Sequence, residues 1–295
     1  MSEALRSVTP SPPMPAGRIS RRFAELARHD ELGLVAYLTA GDPTLAASEE
    51  ILLEAAEAGA DVIELGVPFS DPLADGPTIQ RASERALRSG TSLSGVLSLV
   101  GRLRQKVDTP LVLFSYYNPI LQMGLEKFAA DAATAGADGV LAVDLTPEEA
   151  GDYRKAIHSR GLDTIFLAAP TSTDARLARI AEATTGFLYL ISRTGVTGTR
   201  DALPEDLPAL VRRTRASTRL PIAVGFGISL PTHVSVLGGI ADAAVVGSAL
   251  VAEVEKATTP AGAAQAVAGL IRSLKHAARA GVSRRGIESG SEQPS

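Results

Sequence analysis

Cysteine and tryptophan are missing from this 295-residue chain, and aromatic residues make up only 4% of it. Without cysteine there is no disulfide, no thiolate nucleophile and no cysteine-ligated metal site. The few aromatic side chains argue against a stacking platform for nucleic-acid bases. A formal net charge of -4 gives no attraction to nucleic acids or acidic membranes. These absences leave a globular protein with 45% hydrophobic residues.

Long hydrophobic runs are also missing. The most apolar stretch, residues 234–251, is interrupted by Asp242 and several glycines, so it does not predict a membrane span. The Ser- and Pro-rich beginning lacks the apolar core of a secretory signal, which favours a cytoplasmic protein. We expect a flexible extension over residues 1–17, one catalytic domain over residues 18–280 and a polar tail over residues 281–295.

Short apolar runs alternate with amphipathic segments along the chain. The runs cover residues 33–38, 61–66, 110–115, 139–144, 163–168, 187–192, 221–226 and 243–248. Each run is apolar on both faces, which is typical of strands buried in a parallel sheet. Eight such units favour a single-domain (β/α)8 TIM barrel over a doubly wound sheet.

The segments between the runs carry helical patterns. Helices are expected over residues 44–58, 125–135, 147–160 and 174–184, with two more helical segments inside the connection 67–109. Pro147 and the two glutamates after it predict a helix start, with Thr146 as its N-cap. A weak repeat of glycine, a small residue and aspartate precedes the runs near residues 61, 138 and 242, where the glycine is expected to end a helix.

Glu64 is the most informative single residue, because it lies inside the apolar run DVIELG. A buried carboxylate must be paired or have its pKa raised, and a raised pKa suits general acid–base catalysis near neutrality. The other runs contain no lysine or arginine, which weakens the alternative of a structural ion pair. Asp75 lies on a loop bounded by proline and glycine and could extend over the barrel mouth, although a plain Asp-Gly turn is the alternative.

Glycines cluster after the last strands, in the segments 225–227 and 247–248. Backbone N–H groups next to glycine can approach an anion closely, and the loops after strands seven and eight of such barrels bind phosphate. Tight turns are the alternative explanation. No lysine or histidine falls at the carboxyl end of an expected strand, which argues against Schiff-base and metal-dependent chemistry. Carboxylate acid–base chemistry on a phosphorylated substrate remains, without metal or cofactor.

Several motifs together resemble the tryptophan synthase alpha subunits. They are LTAGDP at 38–43, ELGVPFSDPLADGPTIQ at 64–80, YLISRTGVTG at 189–198, VGFGIS at 224–229 and VGSALV at 246–251. The resemblance implies a (β/α)8 barrel that cleaves indole-3-glycerol phosphate to indole and glyceraldehyde 3-phosphate in tryptophan biosynthesis. Glu64 would be the general acid–base residue, and Asp75 would bind the indole N–H.

The same resemblance implies further site residues and a partner. Phosphate binding maps to Gly198, Gly227, Gly247 and Ser248. The indole pocket and loop closure map to Tyr37, Phe114, Tyr116, Tyr189 and Thr197. The implied partner is a PLP-dependent beta subunit in an α2β2 complex, and its contact surface would include Asp71, Pro72 and Asn118.

Three alternatives to this interpretation stay open. The chain could be a stand-alone lyase that releases free indole from indole-3-glycerol phosphate. It could be another phosphate-sugar barrel enzyme, such as an isomerase, with acid–base residues on other strands. It could also be a catalytically silent regulatory subunit, although the presence of both Glu64 and Asp75 argues against this.

Overall fold

The computed structural model describes residues 17–191, 203–225 and 227–288, with the backbone alone for 280–288. The strands in these ranges are β1 Gly33–Thr39, β2 Val62–Gly66, β3 Leu111–Ser115, β4 Gly139–Ala142, β5 Asp163–Ile165, β6 Leu167–Ala168, β7 Leu188–Ile191, β8 Ile222–Gly225 and β9 Ala243–Val246. The helices are α1 Arg18–Arg28, α2 Leu45–Glu57, α3 Pro77–Arg88, α4 Leu93–Arg104, α5 Tyr117–Met123, α6 Leu125–Ala135, α7 Gly151–His158, α8 Asp174–Ala183, α9 Leu207–Arg215, α10 Pro231–Leu237, α11 Ser248–Lys256 and α12 Pro260–Glu288.

All the strands pair in parallel, in the order β5-β4-β3-β2-β1-β9-β8-β7-β6. The two end strands, β5 and β6, are separated in sequence by Phe166 alone. The ends of the sheet are therefore halves of one interrupted strand, so the sheet curls into a nearly closed barrel. The predicted (β/α)8 barrel is confirmed, and each of the eight predicted runs contains a strand.

Successive side chains of each strand point alternately into the barrel interior and outward to the surrounding helices. Val35, Val62, Val112 and Leu141 belong to the interior cluster, whereas their sequence neighbours pack against the surrounding helices. Helix α1 contributes Ile19, Phe23 and Leu26 to the interior cluster, so it covers the end of the barrel at which the strands begin. The opposite end, where the strands finish, is left for the loops that carry chemistry.

The aspartates of the sequence repeat serve one structural purpose. Each precedes a strand and accepts a hydrogen bond from the first part of the strand before it. The bonds run from the Leu34 amide to Asp61 at 2.6 Å, from the Leu111 amide to Asp138 at 2.8 Å and from the Ile222 amide to Asp242 at 2.7 Å. The repeat therefore fixes the staggering of neighbouring strands at the barrel's amino-terminal end.

Most of the predicted helices are present, including the two in the connection after β2. The start predicted at Pro147 is wrong, because helix α7 begins at Gly151. The Thr146 side chain bonds instead to the carboxylate of Glu149 at 3.0 Å, and Glu148 pairs with Arg176 of the next helix. These contacts hold residues 146–149 in a turn before the helix.

Two further expectations are modified. Helix α12 continues to Glu288, past the boundary expected at residue 280, since residues 281–288 contain no proline to end it. Gly59 and Gly136 have the positive φ predicted for helix ends, but Gly238 has φ -52°. No helix in the described ranges has the length and apolar character needed to cross a membrane.

Candidate active site

Glu64 points into the barrel interior from the middle of β2. Its neighbours Ile63 and Leu65 pack against the outer helices, while Val62 faces inward, so alternation turns Glu64 to the inside. The residue has 0% exposed surface. Neither carboxylate oxygen has a hydrogen-bond partner among the described residues.

The carboxyl group of Glu64 therefore lacks the contacts that would stabilise a charge. Burial raises its pKa from 4.5 to about 8, and no other cause contributes clearly. At neutral pH the group is mostly protonated in the chain as it stands. A carboxylic acid with a pKa close to working pH can both give and take a proton, which is the requirement for general acid–base catalysis.

Asp75 is the second carboxylate, on the loop between β2 and α3. It is half-buried, and its Oδ2 accepts a hydrogen bond from the Tyr116 hydroxyl at 3.1 Å. Burial raises the pKa of Asp75 to about 6, while the Tyr116 bond lowers it. Asp75 is thus ionised at neutral pH where Glu64 is protonated, and the two environments give the carboxylates different chemical states.

Tyr37 and Tyr189 line the same interior space as the two carboxylates. Tyr37 lies opposite Glu64 in the β1–β2 register and contacts Phe114 edge-on, with ring centroids 5.2 Å apart. Burial raises the pKa of both phenols well above 10, and the nearby carboxyl groups of Asp75 and Glu64 raise it further. Both tyrosines are therefore neutral, and all four groups form one electrostatic cluster.

Glycine makes room for both phenol rings. A Cβ on Gly66 would collide with the Tyr37 hydroxyl and lie 2.6 Å from its Cζ, and a Cβ on Gly225 would meet Tyr189 in the same way, 2.7 Å from its Cζ. Each tyrosine thus leans across the next strand toward the carboxyl end of the barrel. Only glycine at these two strand positions permits that placement.

The glycine-rich turns lie at the same end of the barrel. Gly247 is the residue before helix α11, and its Cα faces the ring of Tyr37, so that a Cβ there would lie 3.4–3.6 Å from Tyr37 atoms. Ser248 begins the helix and is exposed. Gly227 is also exposed and has φ +84°, which disfavours other residues. Free N–H groups at a helix start can bind an anion such as phosphate.

Comparison with known proteins adds to this geometry. Residues 23–279 match the family model for the tryptophan synthase alpha chain. The tryptophan synthase alpha chain of Citrifermentans bemidjiense is 55% identical over 239 residues, covering 81% of this chain and 90% of that protein. The alpha chain of Geobacter sulfurreducens is 48% identical over 260 residues, covering 88% and 98%. The chain belongs to the tryptophan synthase alpha-chain family.

Solved structures agree with this assignment. The crystal structure of the tryptophan synthase alpha subunit from Legionella pneumophila superposes with a TM-score of 0.83 at 36% identity, covering 90% of this chain and 100% of that one. A tryptophan synthase structure from Mycobacterium tuberculosis gives a TM-score of 0.83 at 36% identity, covering 90% and 99%. Membership of this family makes the protein a lyase of tryptophan biosynthesis.

The structure describes most of the site residues that were named from the sequence. Glu64, Asp75, Tyr37, Phe114, Tyr116, Tyr189, Gly227, Gly247 and Ser248 all lie in the barrel or at the carboxyl ends of its strands. Thr197 and Gly198 lie outside the described residues. No cluster of three or more potential metal ligands occurs in the part of the chain that the structure describes.

The residues predicted to contact a partner lie on the outer surface of the protein beside the site. Asp71 and Asn118 are exposed, and Pro72 is partly so. Next to them, Leu73 has 84% of its surface exposed and Leu121 has 51%. Two large exposed apolar side chains, one on the loop between β2 and α3 and the other in helix α5, give this surface the character of a protein contact.

Three residues that support the site were given no role from the sequence. Phe69 stacks on Tyr116 with ring centroids 5.0 Å apart. Gln80 donates from its side chain to the Asp75 carbonyl at 2.9 Å. Thr39, at the end of β1, has a buried hydroxyl with no hydrogen-bond partner in the described ranges. Only Thr39 carried a sequence signal, as a polar residue ending an apolar strand.

Proposed function

We propose that this chain cleaves indole-3-glycerol phosphate to indole and glyceraldehyde 3-phosphate, with Glu64 as the general acid–base residue. The observation that carries the proposal is the unpaired, fully buried carboxyl group of Glu64 inside the barrel. An unpaired buried carboxyl group makes no stabilising contact that offsets the free-energy cost of its burial. The family to which the chain belongs supports the same reaction.

In the proposed mechanism Glu64 begins protonated, as its raised pKa favours at neutral pH. It gives its proton to C3 of the indole ring, which makes an indolenine-like intermediate. The resulting carboxylate then takes the proton of the C3′ hydroxyl. The bond between C3 and C3′ breaks, its electron pair returns to the ring, and the hydroxyl carbon becomes the aldehyde. Glu64 ends protonated, so no net proton is consumed.

Asp75 supplies the second charge that this reaction needs. As C3 is protonated, positive charge develops at the ring nitrogen, and an ionised carboxylate beside the N–H stabilises it. The Tyr116 bond favours the ionised form of Asp75 and holds its loop. Tyr37, Phe114 and Tyr189 would then enclose the indole ring.

Phosphate binding is assigned to Gly227, Gly247 and Ser248, together with Gly198 in the undescribed segment. The start of helix α11 supports this assignment, because it presents backbone donors near the Tyr37 ring. Thr197 is proposed to complete a closed loop over the site that excludes water.

The indole product is proposed to pass to a beta subunit that carries PLP, in an α2β2 complex. The surface around Asp71, Pro72, Leu73 and Asn118 is proposed as the contact, because the exposed apolar side chain of Leu73 lies on the same loop as Asp75. Titration of the chain with a beta subunit should raise the rate of indole release. No complex and no rate increase would instead support a stand-alone lyase.

Substitution of the two carboxylates tests the proposal. Glu64→Gln and Asp75→Asn should each lower indole release from indole-3-glycerol phosphate by roughly 10²- to 10⁴-fold, since general acid–base groups typically contribute that much. The fold should survive both changes, as circular dichroism will show. Glu50→Gln, on the exposed face of α2, is the matched control and should keep wild-type activity. Cleavage near the wild-type rate in either site variant would contradict the assigned role.

A further inference from the structure

The hydroxyl end of Tyr37 occupies a defined place in the barrel. Tyr37 is 6% exposed and pairs with Glu64 across β1 and β2. Its phenol leans over Gly66, two residues after Glu64, and a side chain at that glycine would collide with the hydroxyl. The hydroxyl therefore lies one layer above Glu64, on the side of the barrel mouth.

The polar groups around this hydroxyl have unused bonding capacity. Thr39, two residues further along β1, has a buried oxygen with no hydrogen-bond partner among the described residues. Burial raises the pKa of the Tyr37 phenol, and Thr39 lies close enough to lower it, although the contact does not count as a hydrogen bond by geometry. Both oxygens of Glu64 are also unpaired there. Buried polar groups normally have hydrogen-bond partners. The unpaired oxygen of Thr39 and the two unpaired oxygens of Glu64 therefore indicate that polar atoms of a ligand bind here.

The ring of Tyr37 also spans the distance between the two ends of the site. Its Cβ, Cγ and Cδ1 face Gly247, at the proposed phosphate position, and its hydroxyl is directed toward Gly66 and the Asp75 loop. A molecule held by phosphate at one end and by an indole ring at the other would pass its connecting chain along this side chain. Because burial keeps the phenol neutral, it has a proton to donate in a hydrogen bond.

We propose that the Tyr37 hydroxyl, supported by Thr39, donates a hydrogen bond to the hydroxylated three-carbon chain of the substrate and so selects phosphate esters that carry chain hydroxyl groups. The inference rests on the proposed function and adds a specificity determinant to it. Tyr37 moves no proton in the reaction; it distinguishes a hydroxylated chain from a plain one.

Two binding probes separate this contact from general packing. sn-Glycerol 3-phosphate carries chain hydroxyls and a phosphate, whereas indole-3-propanol phosphate carries the indole and the phosphate on a plain chain. Tyr37→Phe should raise the dissociation constant of the first roughly 3- to 10-fold, the size expected for one neutral hydrogen bond. The dissociation constant of the second should stay within about twofold. Calorimetric titration of the purified chain measures both.

Steady-state kinetics give an independent readout. Tyr37→Phe should raise KM for indole-3-glycerol phosphate with little change in kcat, because a binding contact is lost and no proton carrier is removed. Thr39→Val, nearly equal in shape, should change the binding of the two probes in the same direction by a smaller factor. Tyr153→Phe is the matched control, since its buried hydroxyl bonds to the Val140 carbonyl at 3.2 Å in the outer layer.

The outcomes are distinct. Equal weakening of both probes by Tyr37→Phe, or no weakening of sn-glycerol 3-phosphate, would overturn the proposal, as would failure of the wild-type chain to bind that probe. If Tyr37→Phe does not fold, the Thr39→Val comparison decides in the same way. A wild-type chain that binds both probes but does not cleave indole-3-glycerol phosphate would refute the proposed function while the probe comparison still judges the Tyr37 contact.

Discussion

The Tyr116 hydroxyl connects Asp75 to the barrel. It donates a hydrogen bond to Asp75 Oδ2 at 3.1 Å and accepts one from the Ala74 amide at 2.9 Å. Because Tyr116 directly follows β3, these two bonds tie a surface loop to a strand that is held in the sheet. One side chain thus fixes both the position and the charge state of the loop carboxylate.

Removal of that hydroxyl should shift the pH dependence of the reaction. The Tyr116 bond lowers the pKa of Asp75, so Tyr116→Phe should raise it above about 6. The reaction needs Asp75 ionised and Glu64 protonated. The plot of wild-type kcat/KM against pH should therefore have an acid limb near pH 6 and a basic limb near pH 8, since the two pKa values are about 6 and about 8. The variant's acid limb should move to higher pH, with roughly 3- to 10-fold lower activity at pH 6. An unmoved acid limb would show that Tyr116 does not control Asp75.

Glu64 should make folding stability depend on pH. Its pKa is about 8 in the folded chain and about 4.5 when exposed, so the folded state holds a proton that the unfolded state loses between these values. Stability therefore falls as pH rises from about 4.5 to about 8 and levels off above that. Glu64→Gln removes this titration and should gain on the order of 4 kcal/mol over wild type at pH 8, with little gain at pH 4.5.

Urea unfolding at several pH values measures this difference. Glu50→Gln is the control, because it makes the same change of side chain at an exposed position of α2, outside the barrel interior. A constant difference between Glu64→Gln and wild type across the range would mean that Glu64 is not buried as a neutral acid. The expected gain also illustrates why an active-site acid is held at a cost to stability.

Gly247 offers a test of the phosphate assignment. A methyl group there would sit at 3.4–3.6 Å from Tyr37 atoms, an ordinary van der Waals contact, and φ -121° lies outside the left-handed region that favours glycine. Gly247→Ala should therefore fold normally, but the methyl group would narrow the space before helix α11 and raise KM several-fold. Inhibition by inorganic phosphate in competition with the substrate measures the affinity of the anion site directly. Gly101→Ala, in open space within α4, is the control and should leave KM unchanged.

The sequence predicts the barrel well because the governing signals are local. Each strand is a short run that is apolar on both faces, and such runs indicate a buried parallel sheet regardless of their partners. Glu64 could be selected in the same way, since a charged residue inside an apolar run is visible without any structure. The start predicted at Pro147 is wrong, and the pairing of Glu148 with Arg176 on another helix is a contact that the local pattern does not contain.

The support around the site was beyond sequence reasoning for the same reason. Tyr116 and Asp75 are 41 residues apart, and only the sheet register brings them together. The packing of Tyr37 over Gly66 likewise depends on how β1 and β2 align. A glycine at the end of a strand could equally have formed a turn. That Gly66 makes room for the Tyr37 ring can be recognised only when the neighbouring strand is known.

Asp61 should be more costly to lose than Asp242, the aspartate at the same position of the last repeat. Its buried carboxylate accepts bonds from Lys275 at 2.6 Å, from Arg22 at 2.6 Å and 3.0 Å, and from the Leu34 amide. Asp61→Ala would leave the Lys275 ammonium buried without its partner, because only 7% of that side chain is exposed. We expect a loss of about 3–5 kcal/mol in the free energy of unfolding, the usual consequence of breaking a buried pair.

Asp242→Ala is the matched comparison, since Asp242 has the same position in the repeat and also bonds a strand amide. Its side chain and that of its partner Arg215 are each about two-fifths exposed, so water can replace much of the lost contact. Urea unfolding should therefore show a loss of no more than about 2 kcal/mol for this variant. Equal losses in the two variants would mean that the strand amide bond, which both share, matters more than the buried lysine.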